Sequence, residues 1–536
     1  MRMATPAPAS PLVAATMPLR HLRWAVLGAV ARVAHRVSRA NLRSFRWGAR
    51  HGGRLAARLS APAGAATARR AMRTVPAYRA LVAAAGAPAP ARTAAAWLAG
   101  LPVTTKRSYV DRWSLAERCQ HGRIPATGCQ LDESAGSSGV PYTWVRSRRE
   151  LADVHRSLAL LARHLLPEPD GRPVVVLNAF SMGAWATGTN VSAALTAVGT
   201  VKSCGPDVDK VLGTVALLGA GPTYVVCGYP PFLRTLVEAA PARDLDLSAH
   251  RLYGFVGGEG MTEAARDRLE RTFTQVWSAY GASDLDIGVA CETPVSIWLR
   301  RQAAARPELA LALFGRTDRL PMVFQYDPCD YHVTTVRSPA GAEELVVTVS
   351  RPLLSPRVRY DVGDEGGTVP YAAALRACRA AGLDPSEADA RPFTLPFLFV
   401  HGRADQTLSY LGANLYPEDV GAAVAGHPAA DRLGAFCMEL AEVGDGDVRP
   451  LVHVEADDPG DRALAAGLAA AVRDHLASVS ADYRTALAES AAAGDVRVRL
   501  WEQGTGPFVP NRSRIKHRHV LTADRPSPGC HREARP

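Results

Sequence analysis

Residues 133–141 read ESAGSSGVP, a run of hydroxyl side chains between glycines that a proline closes. Such a run suits a turn whose backbone N–H groups and serine hydroxyls wrap the phosphates of a nucleotide. It is not a Walker loop, because no Gly-Lys-Ser/Thr follows its second glycine. Read by itself it is simply a Ser/Gly surface loop. Three further motifs follow in order: YGASD at 280–284, YDVGD at 360–364 and GRADQTLSYLGANLYPEDV at 402–420. YDVGD alone is a tight turn, and Gly363 needs no ligand to explain it. YGASD alone is a solvated turn with helix-capping Asp residues.

Together the four motifs resemble the signature set of the adenylate-forming enzymes: acyl-CoA synthetases, luciferases and peptide-synthetase adenylation domains. The phenylacetate–CoA ligase branch is the most similar. RTVPAYRALVAAAG at 73–86, leading into LPVTTKRSY at 101–109, is similar to that branch's opening. GGEGMTEAARDRLERTF at 257–273 resembles the segment before its adenine pocket. The resemblance spans roughly residues 70–520. It implies an α/β fold with a large multi-sheet N-terminal adenylation domain and a smaller α+β C-terminal lid domain. It also implies ATP-dependent activation of a carboxylic acid as an acyl-adenylate, with pyrophosphate released and a thiol, coenzyme A, taking the acyl group.

That chemistry must hold the triphosphate, neutralise charge where the carboxylate attacks the α-phosphorus, and exclude water. By resemblance, Ser134, Gly136, Ser137, Ser138 and Gly139 grip the β- and γ-phosphates. Tyr142 stands where many relatives carry a Lys. Tyr280 would stack on adenine, with Gly257, Gly258 and Glu259 beside it, Ser283 would bond the α-phosphate, and Asp284 would hold Mg²⁺. Asp is one methylene shorter than the usual Glu, and Mg²⁺ demands near-octahedral geometry, so either the backbone sits closer, a water bridges, or Asp286 shares that task. A carboxylate at a strand end is suited to both ribose hydroxyls, the role implied for Asp364, with Arg403 as a further contact. Asp405 corresponds to the hinge between adenylating and product-forming poses. The lysine common just after that hinge is absent; Ser409 and Tyr410 stand in its region. Lys516, the only Lys after Lys210, corresponds to the late catalytic lysine. Phe180, Met182 and Trp185, in NAFSMGAWATG, would wall an acyl pocket for an aromatic or medium acyl group.

The elements that must position these residues are legible as apolar runs. Residues 173–180, 222–229, 251–258, 344–350 and 397–402 read as strands, several of them apolar throughout, as in a sheet covered on both faces. Residues 71–402 are expected to form the large AMP-binding domain and 403–520 a mobile C-terminal domain. The smaller unit carries a strand at 449–455 and a helix at 461–479. Residues 521–536 read as a disordered tail.

Composition narrows the class. At 536 residues and 47% hydrophobic, the chain can bury large cores in more than one domain. No apolar run is long enough to span a bilayer. Nine scattered cysteines lack CxxC pairs or zinc spacing, which reads as reduced thiols in a cytoplasmic protein without a structural metal. The net charge of +11 is confined to the front: the first 110 residues hold 18 Arg and Lys and no Asp or Glu. The remainder has 44 basic against 51 acidic side chains, so affinity for nucleic acid is not implied. Residues 1–70 read as a basic extension. Arg32, Arg36, Arg39, Arg43, Arg46, Arg50, Arg54 and Arg58 recur every three or four residues, on one side of a helix. Val26, Val30, Val33 and Val37 keep the same spacing on a neighbouring strip. Anionic membrane contact by residues 20–58, a partner-gripping arm, an organellar transit peptide and a solvated extension all fit this pattern. Two other functions stay open. One is an amide-forming ligase in which an amine is the acceptor, because residues 482–508 faintly resemble the C-terminal region of acyl-amido synthetases. The other is a non-catalytic, adenylate-like scaffold with the Arg stripe as its working part.

Overall fold

A computed structural model of the chain describes residues 17–86, 88–134, 142–167, 170–317, 320–338, 341–403, 407–442 and 448–508. Lys516, Asp405, Gly136, Ser137, Ser138, Gly139 and the 521–536 tail lie outside the described residues.

The chain opens with three helices, α1 (Met17–Ser38), α2 (Leu42–His51) and α3 (Gly53–Thr74). A hairpin of β1 (Cys129–Ser134) and β2 (Tyr142–Ser147) then precedes the main sheet. That sheet has eleven strands: β3 (Val174–Asn178), β4 (Thr200–Ser203), β5 (Thr223–Gly228), β6 (Arg251–Gly257), β7 (Gln275–Ala282), β8 (Asp286–Cys291), β9 (Met322–Tyr326), β10 (Tyr331–Arg337), β11 (Glu343–Val349), β12 (Tyr360–Val369) and β13 (Phe397–Arg403). Their order is β10-β11-β12-β13-β9-β8-β7-β6-β5-β3-β4. The half from β4 to β7 is parallel and the half from β7 to β10 antiparallel. The parallel half has the sequence signature of strands covered on both faces: every residue of β5 is buried. The five runs expected as strands here correspond to β3, β5, β6, β11 and β13.

A second core is built wholly from residues 408–500. Its three-stranded sheet pairs β16 (Leu433–Glu442) antiparallel to β17 (Val448–Ala456) and β17 parallel to β18 (Arg497–Trp501). A short ladder joins β14 (Leu408–Tyr410) to β15 (Ala413–Leu415). The expected helix spans Arg462–Val479, capped by Asp461, and buries Leu464, Leu468, Val472 and Leu476, one per turn. This mixed α/β architecture with its C-terminal unit is the fold class expected from the motifs. No helix of the described residues is long and apolar enough to cross a membrane.

The front of the chain differs from its expected form as an extension. Asn41 caps α2, its side chain accepting the Ser44 N–H at 2.9 Å, and Gly52 separates α2 from α3, so the arginines do not share one helix face. The inner faces are made of small residues. A Cβ on Gly28 of α1 would stand 2.9 Å from the Ala66 Cβ of α3, and Ala31, Ala63, Ala65, Ala68 and Ala71 are buried. The last three pack with Tyr360 and Val347 in the main core. Arg39 leaves the stripe altogether. It is buried, donating to Asp327 at 3.0 Å and Asp330 at 2.9 Å, while His35 meets Asp330 at 2.6 Å.

Candidate active site

The C-terminal ends of β7 and β13 and the middle of β12 meet along a cavity of about 1790 Å³, so Asp364 stands mid-strand and not at the strand end expected for it. The Tyr280 hydroxyl donates to Asp364 at 2.6 Å, and the Tyr280 ring packs tilted on Phe324. Asp364 is paired with Arg403 across β12 and β13; the Arg403 guanidinium reaches its Oδ1 at 3.5 Å and the Val362 carbonyl at 2.9 Å. Gly363 has φ +78°, and a Cβ there would stand 3.0 Å from the Arg403 guanidinium. This glycine therefore answers a packing need as well as a turn. Burial and the Asp364 carboxylate push the Tyr280 phenol well above its ordinary range.

The turn carrying Ser283 and Asp284 is clamped by two buried guanidinium groups that sequence reasoning missed. Arg146 of β2 donates to the Leu285 carbonyl at 2.6 Å and the Ser283 carbonyl at 2.5 Å. Arg357 donates to the Asp284 carbonyl at 2.7 Å and lies over the Trp144 ring. Three consecutive carbonyls are thereby fixed, with the Asp284 side chain on the cavity wall. Its Oδ2 accepts the Tyr360 hydroxyl at 2.8 Å and stands 3.9 Å from the Lys106 Nζ. The expectation that Asp286 shares its role is corrected: Asp286 pairs with Arg351, accepts the Tyr331 hydroxyl at 3.1 Å and does not line the cavity. Mg²⁺ typically takes one or two carboxylates together with phosphate oxygens and waters. The Asp284 carboxylate, beside a lysine at the cavity wall, fits that need.

Lys106 is the basic group that reading the motifs did not single out. Its Nζ lies over the Tyr142 ring, 5.2 Å from its centre. It is one of only four lysines in an arginine-dominated chain, the one sequence signal that could have marked it. Ser134, at the end of β1, lines the cavity and accepts the Trp144 indole N–H at 2.9 Å.

Gly257, Gly258 and Glu259, expected beside adenine, line the cavity. The Glu259 Oε2 accepts the Leu411 N–H of the C-terminal unit at 3.2 Å, while its Oε1 is buried without a partner. Burial pushes this carboxyl up to about 8. Tyr229 fills the space between the two units; Cβ atoms on Gly258 and Gly412 would stand 2.8 Å and 2.5 Å from it. The helix Ala481–Glu489 completes the closure. Ser181 donates to Glu489 at 2.6 Å, and burial raises the Asp482 carboxyl to about 6 against the opposing pull of Lys106.

Behind Phe180 and Trp185 the cavity runs between two helices and the sheet. The helix Arg148–Leu165 presents Leu158, Leu161, Ala162 and Leu165, and the helix Ala186–Leu195 presents Thr187, Val191 and Leu195. Phe255, Trp277, Ile287 and Cys291 form the sheet side. Neither helix contributes a charged side chain to the lining. Met182 is a correction: it does not line the cavity, and its sulfur stands 3.1 Å from where a Cβ on Gly188 would lie.

No family model matches the chain, and no curated protein does. Among solved structures, a 2-hydroxyisobutyryl-CoA ligase in complex with 2-HIB-AMP and CoA in the thioesterification state is similar, with TM-score 0.59 and 15% identity. That match covers 89% of this chain and 91% of the ligase. The amide bond synthetase McbA from Marinactinospora thermotolerans is similar over 76% of this chain and 74% of its own, with TM-score 0.41 and 16% identity. An o-succinylbenzoate CoA synthetase from Bacillus subtilis matches over 74% and 69%, with TM-score 0.39 and 14% identity. The chain thus has the fold of the adenylate-forming ligases, including their C-terminal unit.

Proposed function

We propose that the protein activates a carboxylic acid with ATP and passes the acyl group to a thiol, coenzyme A. The observation that carries this reading is the convergence of Tyr280, Asp284, Asp364, Arg403 and Lys106 on one cavity with an apolar rear chamber. In the first step the carboxylate oxygen bonds to the α-phosphorus of ATP and the bond to the β-phosphate breaks, releasing pyrophosphate. In the second a thiolate bonds to the acyl carbon and AMP leaves.

Asp364, fixed by Tyr280 and Arg403, accepts the ribose hydroxyls, and the Tyr280 ring meets the adenine. Ser283 faces the α-phosphate, and the loop after Ser134 takes the outer phosphates. Lys106 supplies positive charge where charge gathers on the reacting phosphate, and Lys516 is the second candidate for that task. Asp284 would hold Mg²⁺, which would neutralise phosphate charge when bound. Asp405 remains the proposed hinge. The fold shared with a CoA ligase supports the thiol acceptor.

The chamber supports a substrate class. Drug-sized pockets enclose about 300–1,000 Å³, and this cavity of about 1790 Å³ leaves room for a nucleotide and a large acyl body. With no charged side chain from either helix wall, the acid should have a bulky, uncharged, apolar body, longer than a single ring. The test is product analysis with ATP, Mg²⁺ and a graded panel of alkyl and aryl acids, with CoA or amines added in turn. Acid-dependent AMP and pyrophosphate, rising with apolar length and accelerated by CoA, is the expected result. Acceleration by amines instead would select the amide-forming reaction. Failure to bind ATP would leave a scaffold.

A further inference from the structure

Helix α1 has two apolar faces. The inner one, with Trp24 and Ala31, is buried. The outer one is not: Leu19, Leu22, Val26, Val30, Val33 and Val37 are 43–71% exposed, spaced three or four residues apart along the whole helix. The inner face is already occupied, so rotating the helix cannot hide the outer stripe. Trp47 of α2 (67% exposed) and Leu55 of α3 (53%) continue the same character. An exposed apolar patch of this extent marks an interaction surface.

The rim of the stripe identifies the partner. Arg23 and Arg36 are exposed beside it, and Arg43, Arg54 and Arg58 are exposed on the two following helices. No Asp or Glu occurs anywhere before Asp111. The arginines crowd one another. Partial burial, with Arg70 and Arg36 alongside, pulls the Arg32 guanidinium below its usual range. A second copy of this chain would bring a like-charged rim against this one, which disfavours self-association. A surface that is both apolar and anionic matches both properties, and α1, at 22 residues, is not apolar enough to cross it.

The geometry points to the outer face of α1 as a docking surface for an anionic lipid bilayer, with the helix lying in the plane of the interface. Its valines and leucines would sit at the acyl boundary and its arginines among the headgroup phosphates, the arrangement of basic interfacial helices. This surface is separate from the catalytic cavity, and the inference does not depend on the reaction proposed above.

Co-sedimentation of the full chain with phosphatidylglycerol vesicles, against phosphatidylcholine vesicles, tests it. The wild type is expected to sediment with the anionic vesicles only, and about 1 M salt should release it. The triple variant Leu22→Glu, Val26→Glu and Val33→Glu changes exposed positions, so its thermal unfolding should match the wild type while vesicle binding is lost. Arg23→Gln with Arg36→Gln should weaken binding by tenfold or more. Hydrogen exchange of residues 17–38 should slow on phosphatidylglycerol vesicles. Failure of the wild type to sediment, undiminished sedimentation of a folded triple variant, or equal binding to phosphatidylcholine would each overturn the assignment. So would a dimer in solution that the triple variant disperses, which would give the face to a second copy.

Discussion

Glu259 makes the contact between the two units sensitive to pH. Its carboxyl is enclosed between the cavity wall and Leu411, with one oxygen accepting a single N–H and the other buried without a partner. Desolvation dominates, so the carboxyl rises from its ordinary 4.5 to about 8. A raised carboxyl binds its proton more tightly in the folded state than in the unfolded one. The stabilisation is therefore fully present below about pH 4.5 and is lost as pH rises to about 8. At about 1.36 kcal/mol per pH unit, the change between pH 5 and pH 9 is about 4 kcal/mol. Glu259→Gln keeps the acceptor for the Leu411 N–H but cannot ionise. Urea unfolding of both proteins across that range is the assay, because opening the contact and unfolding the large domain both return Glu259 to water. The wild type should lose about 4 kcal/mol relative to the variant as pH rises. A constant difference at every pH would refute the reasoning, since it would mean the carboxyl is solvated and the Leu411 contact does not form in solution.

Other consequences are open to direct measurement. Asp284→Asn should fold normally, since the Tyr360 hydroxyl can still donate to an amide oxygen, and should lower acid-dependent pyrophosphate release by about 10²–10³-fold. Ala162→Trp, placed in the rear chamber, should depress turnover of long apolar acids by about tenfold or more while short acids retain theirs. Arg266 and Glu292 are both fully buried, 2.5 Å apart, and Glu292 also accepts the Ser278 N–H at 2.7 Å. Glu292→Ala removes the fully buried carboxylate and the acceptor of the Ser278 N–H, while Arg266 keeps Glu263 at 3.2 Å and the Val276 carbonyl at 2.6 Å, and should cost about 3 kcal/mol in urea unfolding. Deleting residues 1–70 removes Ala65 and Ala68 from the main core. It should yield insoluble protein, and a soluble, active truncation would show that α1–α3 are dispensable.

Apolar runs determined the strands. Strands covered on both faces must be apolar throughout, so β3, β5 and β6 were legible without knowing their neighbours, and β11 and β13 by their shorter apolar runs. Motif residues close to one another in the chain were also legible: Tyr280, Ser283 and Asp284 sit on one strand end and its turn, while Asp364 lies in the middle of β12. What joins them was not legible. Arg146 and Arg357 come from segments 137 and 73 residues away from the carbonyls they hold, and only the fold makes them neighbours. Lys106 reaches Asp284 across the same kind of gap. Asp284 and Asp286 read alike in sequence, two residues apart; tertiary packing set one on the cavity wall and spent the other on Arg351.

The front of the chain shows the limit most clearly. The valine spacing holds along α1, but the arginine stripe runs over three helices, and periodicity cannot say where a helix breaks or which face turns inward. Close approach of α1 to α3 requires small side chains, so the glycine and alanines went inside and the valines outside. The rear of the cavity was decided the same way. Its walls are helix faces of ordinary leucines and valines, core-like in sequence, which line a cavity only because the two helices leave a space between them.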